Sequence, residues 1–584
     1  MEQKPDTFQT ADLVIIGSGA AGLMAALVAA REGADVILVE AGDLLGGATA
    51  LSEGMAWFPN NPEARRLPDA PSMSEEAASA FAYLQACSGL GFDAARASAY
   101  IDAGPHVLAF LKKDAGLEFR LNRGSRDYYP DAPGSSLGRR ALNPLPFDAR
   151  GMDPSLFARI RPPLGTMVLF GGMSIASQDL ADYMNVTRSP AALARITGHV
   201  SRYALDRMRG WPRGTRVANG NAIVARLAAA AHAAGVRILT GWPAEEMFCG
   251  GEGKVCGVTG PKGTILASGG VILASGGLNA HPTERRELVG DFSHIPLPDA
   301  EPGLPDLSEL IAETGAVLVR PSREPLLWAP ASEVPAAVHR AGRWPHFGDR
   351  AKPGTICVGP DGRRFANEAQ VYHDFVPAMI RAFGRHPEGP HCWIICDHRA
   401  IRRYGLGPVG PAPVRLGPYL RSGYLHRANS IAELAGHIGV PSEVLSETVG
   451  RFNEAARQGR DPDFGRGESV YDQGNGDPAH RPNPALGPLE RGPFYAIRLL
   501  PGDIGGFIGL ATDAKARALG ASGRPVPGLW AAGNAAAPLT DGTYPAAGLT
   551  IGAALTFGYI AARDALDRLR ESRQPENQIR GERG

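Results

Sequence analysis

Short, uninterrupted apolar runs, each stopped by glycines, are the recurring pattern of this chain. Leu13-Val14-Ile15-Ile16 stops at Gly17-Ser18-Gly19-Ala20-Ala21-Gly22, an alanine-rich stretch follows, and Asp35-Val36-Ile37-Leu38-Val39 stops at Glu40. Four or five apolar residues without alternation predict a strand buried on both faces, and the alanine-rich stretch predicts a helix packed on it. The pattern returns at Val271-Ile272-Leu273-Ala274-Ser275-Gly276-Gly277 and at Gly528-Leu529-Trp530-Ala531-Ala532-Gly533-Asn534. Between them, residues 247–249, 255–258 and 264–266 predict a small meander. Further on, residues 356–358 and 364–366 flank an Asp361-Gly362 turn and predict a hairpin with Arg363 and Arg364 on its surface. Trp393-Ile394-Ile395 reads as a buried strand. Ile431, Leu434 and Ile438 share one helical face, as do Leu445, Val449 and Phe452, so two amphipathic helices are expected. Residues 461–477, rich in Gly, Asp and Arg, read as a surface loop, and the stretch after Ala561 as a charged helix that frays.

The first three elements make a complete βαβ unit. Gly17 permits the tight turn, Gly19 lets the backbone approach a pyrophosphate through Ala20 and Ala21, and Gly22 lets the helix pack closely. Glu40, followed by Ala41, is placed to accept a hydrogen bond from a ribose 2′-hydroxyl. Gly46-Gly47-Ala48-Thr49-Ala50-Leu51-Ser52 then supplies small residues where a second phosphate and a flavin would pass, whereas an NAD domain would continue with further βα units. FAD is therefore the expected cofactor, with Ala244, Ala274, Ser275, Gly276, Gly533 and Asn534 as further contacts. No histidine lies between Ala41 and Gly54, so the FAD is expected to be non-covalent.

The fold class that follows is α/β. A Rossmann-like FAD-binding domain is assembled from discontinuous segments, 1–301 and 488–584, around an α+β substrate domain at 302–487. The most informative stretch is Tyr544-Pro545-Ala546-Ala547-Gly548-Leu549-Thr550-Ile551-Gly552. It reads as a glycine-rich helix start whose free amides, at Leu549 and Thr550, suit an electron-rich ring. The Tyr544 hydroxyl and the Gly548 amide can converge on one substrate oxygen, as in an oxyanion hole.

Composition narrows the partners. Of the 584 residues 44% are hydrophobic, enough for two or three cores. Lys plus Arg equals Asp plus Glu at 60 each, so no global field draws the chain to nucleic acid or an anionic membrane, and small molecules are expected instead. The six cysteines show no metal-ligand spacing and read as core residues, so no metal is expected. No apolar run reaches the roughly 20 residues that span a bilayer, and no signal peptide is evident, so a cytoplasmic location is expected.

With these motifs in place the chain resembles the 3-ketosteroid 1-dehydrogenases, within the wider flavoprotein family that includes fumarate reductases. The resemblance rests on Gly17 to Gly22 with Glu40, Asp127-Tyr128-Tyr129-Pro130, Arg364-Phe365-Ala366-Asn367-Glu368 with Tyr372, Asp463-Phe464-Gly465-Arg466-Gly467, Pro493-Phe494-Tyr495-Ala496, and the block from Gly528 to Phe557. It implies lipid metabolism and steroid degradation, with 1,2-desaturation of a 3-ketosteroid and a quinone-like or dye acceptor. It further implies Tyr544 and Gly548 as holders of the ketone, Tyr372 as the base, and Tyr128 as the tyrosine that hydrogen-bonds the base. Tyr129 adjoins Tyr128, and a shift of one residue would exchange them. Asp503 to Leu510 departs from the family pattern, with Phe507 and Ile508 adding bulk, as do Ala547 and Leu549. The alternatives are a dehydrogenase of another cyclic ketone, a fumarate-reductase-like enzyme using Arg363, Arg364 or His373, and a flavin-binding module without turnover.

Overall fold

The computed structural model describes residues 8–186, 189–277, 287, 295–296, 307–336, 338 and 342–581. The expected boundary at 301/302 lies outside the described residues.

Strands Arg237–Leu239, Val36–Val39, Phe8–Ile16 and Gly263–Leu273 lie side by side and parallel, and Pro525–Ala531 joins them from the far end of the chain. Their register sets Ile16 beside both Val39 and Leu273, and Leu273 beside Ala531. All these strands therefore finish at one edge of the sheet, and the segments that follow them, from Gly17, Glu40, Ala274 and Ala532, emerge together. In open parallel sheets that carboxyl edge is where ligands bind. The apolar runs are buried throughout, as strands covered on both faces must be.

One expectation is corrected here. Residues 264–266 and 271–273 are not separate strands but the two halves of Gly263–Leu273. The first half pairs antiparallel with Val255–Gly260 and the second parallel with Pro525–Ala531. Gly270, at φ +117°, lets the strand change neighbours, since a Cβ there would meet the Gly528 carbonyl oxygen at 2.4 Å.

The helix Ala20–Arg31 packs beneath the sheet with residues 20–29 buried. Gly22 is required there, because a Cβ would lie 1.9 Å from the Gly17 oxygen. The helix Leu549–Gly581 runs alongside, brought close at Gly558, whose Cβ would lie 2.5 Å from the Ala21 oxygen. It continues past Ala561 to Gly581, as the charged helix expected there.

A four-stranded antiparallel sheet stands apart, in the order Thr355–Val358, Cys392–Cys396, Phe494–Leu499, His426–Ala428. Phe494–Leu499 belongs to it although it follows residue 487. Alternation divides its side chains. Ile356 and Val358 pack with Leu434, Leu445, Val449 and Phe452 from the helices Ile431–Ile438 and Ser442–Gln458. Cys357, Ile394 and Cys396 pack on the other face with Phe375, Val376 and Met379 of the helix Tyr372–Phe383. That packing fixes the start of this helix, and so the position of Tyr372.

The expected hairpin is not formed. Thr355–Val358 pairs with Cys392–Cys396, and residues 364–366 form no strand. Arg364 is buried rather than exposed and grips Glu368 and Asp461 with two bonds each, at 2.7 to 2.9 Å. Arg466 adds a bond to Glu368 at 3.1 Å. A buried guanidinium is tolerated only when paired in this way. The same network draws Asp461, Arg466 and Asp472 inside, so residues 461–477 are not simply a surface loop and include the helix Val470–Asn475.

Candidate active site

The edge where the parallel strands end is built to receive a nucleotide. Gly17 turns at φ +100°, with no room for a Cβ beside the Ala274 oxygen at 2.4 Å. Glu40 accepts hydrogen bonds from the Ser18 amide at 3.0 Å and hydroxyl at 2.5 Å, and from the Gly42 amide at 3.1 Å. The carboxylate is thus held in place at the end of its strand. Ser18 Oγ accepts from the Gly46 amide at 2.9 Å, and the Thr49 hydroxyl from the Ala20 amide at 3.1 Å. The glycine turn and the 46–52 segment are therefore stitched together. The helix Gly47–Leu51 carries Ala48, and Ser52 caps the turn after it by donating to the Thr49 carbonyl. The Trp242 amide bonds the Glu40 carbonyl at 2.9 Å, which brings the segments that carry Ala41 and Ala244 to the same strand end. Ser275 and Gly276 follow Ala274 out of the sheet. These residues fit FAD: a glycine cradle without Cβ atoms, an anchored acid, and a helix N-terminus.

Beyond them a cavity partly open to solvent is lined by Asn534, Gly533, Leu549, Thr550, Phe507 and Tyr544, among others. The bulk expected of Phe507 does face this cavity, and its ring stands edge-on to His373 at 5.8 Å.

Three tyrosines from remote parts of the chain meet beside it. Tyr128 reaches the site because its amide bonds the Pro545 carbonyl at 2.8 Å, while Tyr83 ties Pro545 to the Tyr129 amide. Asp127, held by Trp57, Ser136 and Arg140, locks the loop from behind. The Tyr128 hydroxyl lies 3.0 Å from that of Tyr372, and the rings of Tyr128 and Tyr544 are 5.8 Å apart. Tyr129 points elsewhere and donates to the Asp374 carboxylate at 3.0 Å. His373 staples the Tyr372 helix to the Tyr544 loop, accepting from the Trp328 amide at 3.2 Å and donating to the Gly542 carbonyl at 3.0 Å.

Tyr544 and Gly548 are neighbours, with a bond between them: the Gly548 amide donates to the Tyr544 hydroxyl at 2.9 Å. Gly548 sits at φ +88° with its carbonyl bonded to the Trp57 amide, and a Cβ there would strike the Met55 oxygen at 2.5 Å. A ketone oxygen entering between the two donors would accept from both.

Burial dominates the acidities. It pushes Tyr372 well above the ordinary tyrosine value, Tyr544 adds to that, and the hydrogen bond from Tyr128 pulls the other way. Burial likewise raises Tyr128 and Tyr544. His373 is pulled down to about 4 by burial and is neutral, and Asp374 is pushed up to about 6 by burial.

Two residues escaped the sequence reading. Glu53 is exposed, and the protein packed around it raises its carboxyl. Its charge acts on both Tyr372 and Tyr544. An acid set among small residues at Ser52-Glu53-Gly54 was the available signal. Arg96 is buried at the cavity wall, donating to the Ala537 carbonyl at 2.6 Å and lying over the Phe557 ring, with burial lowering it to about 10. Nothing local marked it, because its partners lie over 400 residues away.

The FAD binding domain family matches residues 12–551. The chain is 35% identical to 4-oxocyclohex-2-ene-1-carboxylate 5-dehydrogenase of Sinomonas cyclohexanicum, over 95% of this chain and 93% of that one. It is 33% identical to 3-oxosteroid 1-dehydrogenase of Mycolicibacterium smegmatis, over 96% of this chain and 97% of that one. A solved 3-ketosteroid delta1-dehydrogenase from Sterolibacterium denitrificans, in complex with 1,4-androstadiene-3,17-dione, superposes with a TM-score of 0.84 at 31% identity, covering 95% of this chain and 99% of that one.

Proposed function

The chain belongs to the FAD binding domain family of flavoproteins, and from that premise we propose that it is an FAD-dependent dehydrogenase that introduces a carbon–carbon double bond beside the ketone of a 3-ketosteroid. The observation that carries this reading is the buried cluster of Tyr128, Tyr372 and the Tyr544–Gly548 pair, from which Tyr544 lines the cavity. Desaturation removes a proton from the carbon next to the carbonyl and a hydride from the next carbon. FAD, when bound, supplies the hydride acceptor. The Tyr544 hydroxyl and the Gly548 amide hold the ketone oxygen and carry the charge that develops on it. Tyr372, as phenolate, takes the proton, and Tyr128 stabilises that phenolate by hydrogen bonding.

A fumarate-like substrate is disfavoured by the same geometry. Arg364 is fully engaged by Glu368 and Asp461, and His373 is neutral with both nitrogens bonded to backbone. A smaller cyclic keto acid is the second reading, favoured by Arg96, a buried guanidinium at the cavity wall whose Nε has no hydrogen-bond partner among the described residues.

The test is an anaerobic titration of the yellow protein with 4-androstene-3,17-dione and, separately, with 4-oxocyclohex-2-ene-1-carboxylate. Flavin bleaching with formation of the 1,4-diene is expected with the steroid. Bleaching by the keto acid alone would establish the second reading, and bleaching by neither would overturn both.

The acidities add a pH prediction. Tyr372 is raised above the usual value of about 10, so its ionised fraction, and with it kcat/KM, should keep climbing from neutral to about pH 10 without a plateau. His373 has finished titrating far below that range. A flat steady-state profile, with the chemical step shown to limit the rate, would remove Tyr372 as the base.

A further inference from the structure

Just before Tyr544 the chain makes a turn that is unusual for its surroundings. Asp541 and Gly542 both hold positive φ, at +50° and +86°, and the Thr543 amide bonds the Thr540 carbonyl at 3.1 Å. Residues 540–543 therefore form a type I′ turn, for which an Asp-Gly pair is a favoured centre. Such turns ordinarily tip β-hairpins. This one has no strand on either side, and Thr540, Asp541, Thr543 and Tyr544 are all buried. Glycine would meet the backbone requirement at 541 without strain, so what aspartate adds there is its carboxylate.

That carboxylate gathers two remote stretches of chain. It accepts from the Gly91 amide and from the Ser322 amide, each at 2.8 Å, and from the Ser322 hydroxyl. Gly91 lies 450 positions away, just past the helix Met73–Cys87, and Ser322 lies 219 positions away, just before the strand Leu326–Trp328. Gly89 and Gly91 let the first stretch come this close, since a Cβ on either would collide with the Asp541 oxygens. Burial pushes the carboxyl up, but the bonds from Ser322 and Gly91 outweigh it and leave it below the usual carboxylate range, ionised at neutral pH.

The rest of the turn is gripped as well. Gly542 lies against the Glu324 carbonyl, where a Cβ would come within 2.5 Å, and its own carbonyl accepts from His373 Nε2. The Thr540 hydroxyl closes the turn by donating to the Thr543 carbonyl at 2.5 Å. Tyr544 leaves this turn directly, so its backbone is placed by these contacts and not by a strand or helix of its own.

We propose that Asp541 is the latch that positions Tyr544: by drawing Gly91 and Ser322 onto the turn, its carboxylate fixes where the Tyr544 hydroxyl stands relative to the ketone. The proposal rests on the reading of Tyr544 as a holder of the ketone. Asp541 is a positioning residue in this scheme, since it bonds Gly91 and Ser322 and not the substrate.

Asp541→Gly is the variant that separates the carboxylate from the turn. Glycine adopts positive φ freely, so the turn survives and only the latch is removed. In the FAD-loaded full chain, kcat/KM for 4-androstene-3,17-dione is expected to fall about 10- to 100-fold, the order that a small misplacement of a catalytic group costs, with the FAD absorbance retained. Hydrogen–deuterium exchange over residues 88–92, 320–324 and 540–544 should lose protection. Asp541→Asn keeps one acceptor oxygen and tolerates the left-handed region, so it should recover part of the rate. Because the latch acts through Tyr544, adding Asp541→Gly to Tyr544→Phe should cost nothing further. Wild-type turnover in Asp541→Gly, or a loss that multiplies with that of Tyr544→Phe, would overturn the proposal. A wild-type protein that leaves the steroid unchanged, or a fully active Tyr544→Phe, tells against the ketone reading instead. The latch is then judged by exchange alone, and unchanged protection in Asp541→Gly would overturn it.

Discussion

Tyr372→Phe should lower kcat by about 10²- to 10⁴-fold, the usual contribution of a positioned general base, or roughly 3 to 5 kcal/mol of barrier, while the protein keeps its FAD. The phenyl ring retains the packing against Phe347 at 4.8 Å and against Tyr128 at 5.8 Å, so only the proton acceptor is removed. Tyr128→Phe serves as the contrast. It deletes the hydrogen bond that holds the Tyr372 pKa down, so activity should fall at neutral pH and recover toward alkaline pH, where the base ionises unaided. Stopped-flow reduction of the flavin by substrate, measured across pH for both variants, checks this. Full activity in Tyr372→Phe would show that another group takes the proton, and Glu53 would be the first to examine, because it lies close enough to act on both Tyr372 and Tyr544.

Tyr544→Phe should cost about 10²- to 10³-fold in kcat/KM, as expected for removing one donor from an oxyanion site. This substitution has a second, separable consequence. The Gly548 amide now donates to the Tyr544 hydroxyl, and phenylalanine leaves that amide without its partner in the free protein. An unpartnered buried donor costs about 1 to 3 kcal/mol, so the variant should also melt at a lower temperature, and a ketone that bonds the amide should restore part of the loss. Thermal denaturation with and without substrate measures this alongside the kinetics. Unchanged turnover in Tyr544→Phe would mean that the ketone is held elsewhere, and the Arg96 wall of the cavity would become the alternative anchor.

Both predictions depend on pairs that no local stretch of sequence contains. Tyr128 and Tyr372 are 244 positions apart, and the bond that swings Tyr128 rather than Tyr129 toward Tyr372 comes from Pro545. Adjacent side chains in extended chain point to opposite sides, so the choice between them is made by how the loop docks. A sequence with two tyrosines side by side leaves that open.

What the sequence determined by itself was the nucleotide-binding edge. A strand, a glycine turn, a helix and an acid at the next strand end are each set by neighbours a few residues away, through steric limits on φ and ψ and through apolar periodicity. That is why the elements from Phe8 to Val39 and the strands ending at Leu273 and Ala531 were legible. The tertiary structure decided where charge and exposure are allowed. Arg364 reads as a surface residue beside an Asp-Gly turn, yet it is buried because Glu368 and Asp461 neutralise it there. Backbone conformation answers to local interactions, whereas the side a residue turns to depends on partners that folding brings from elsewhere in the chain.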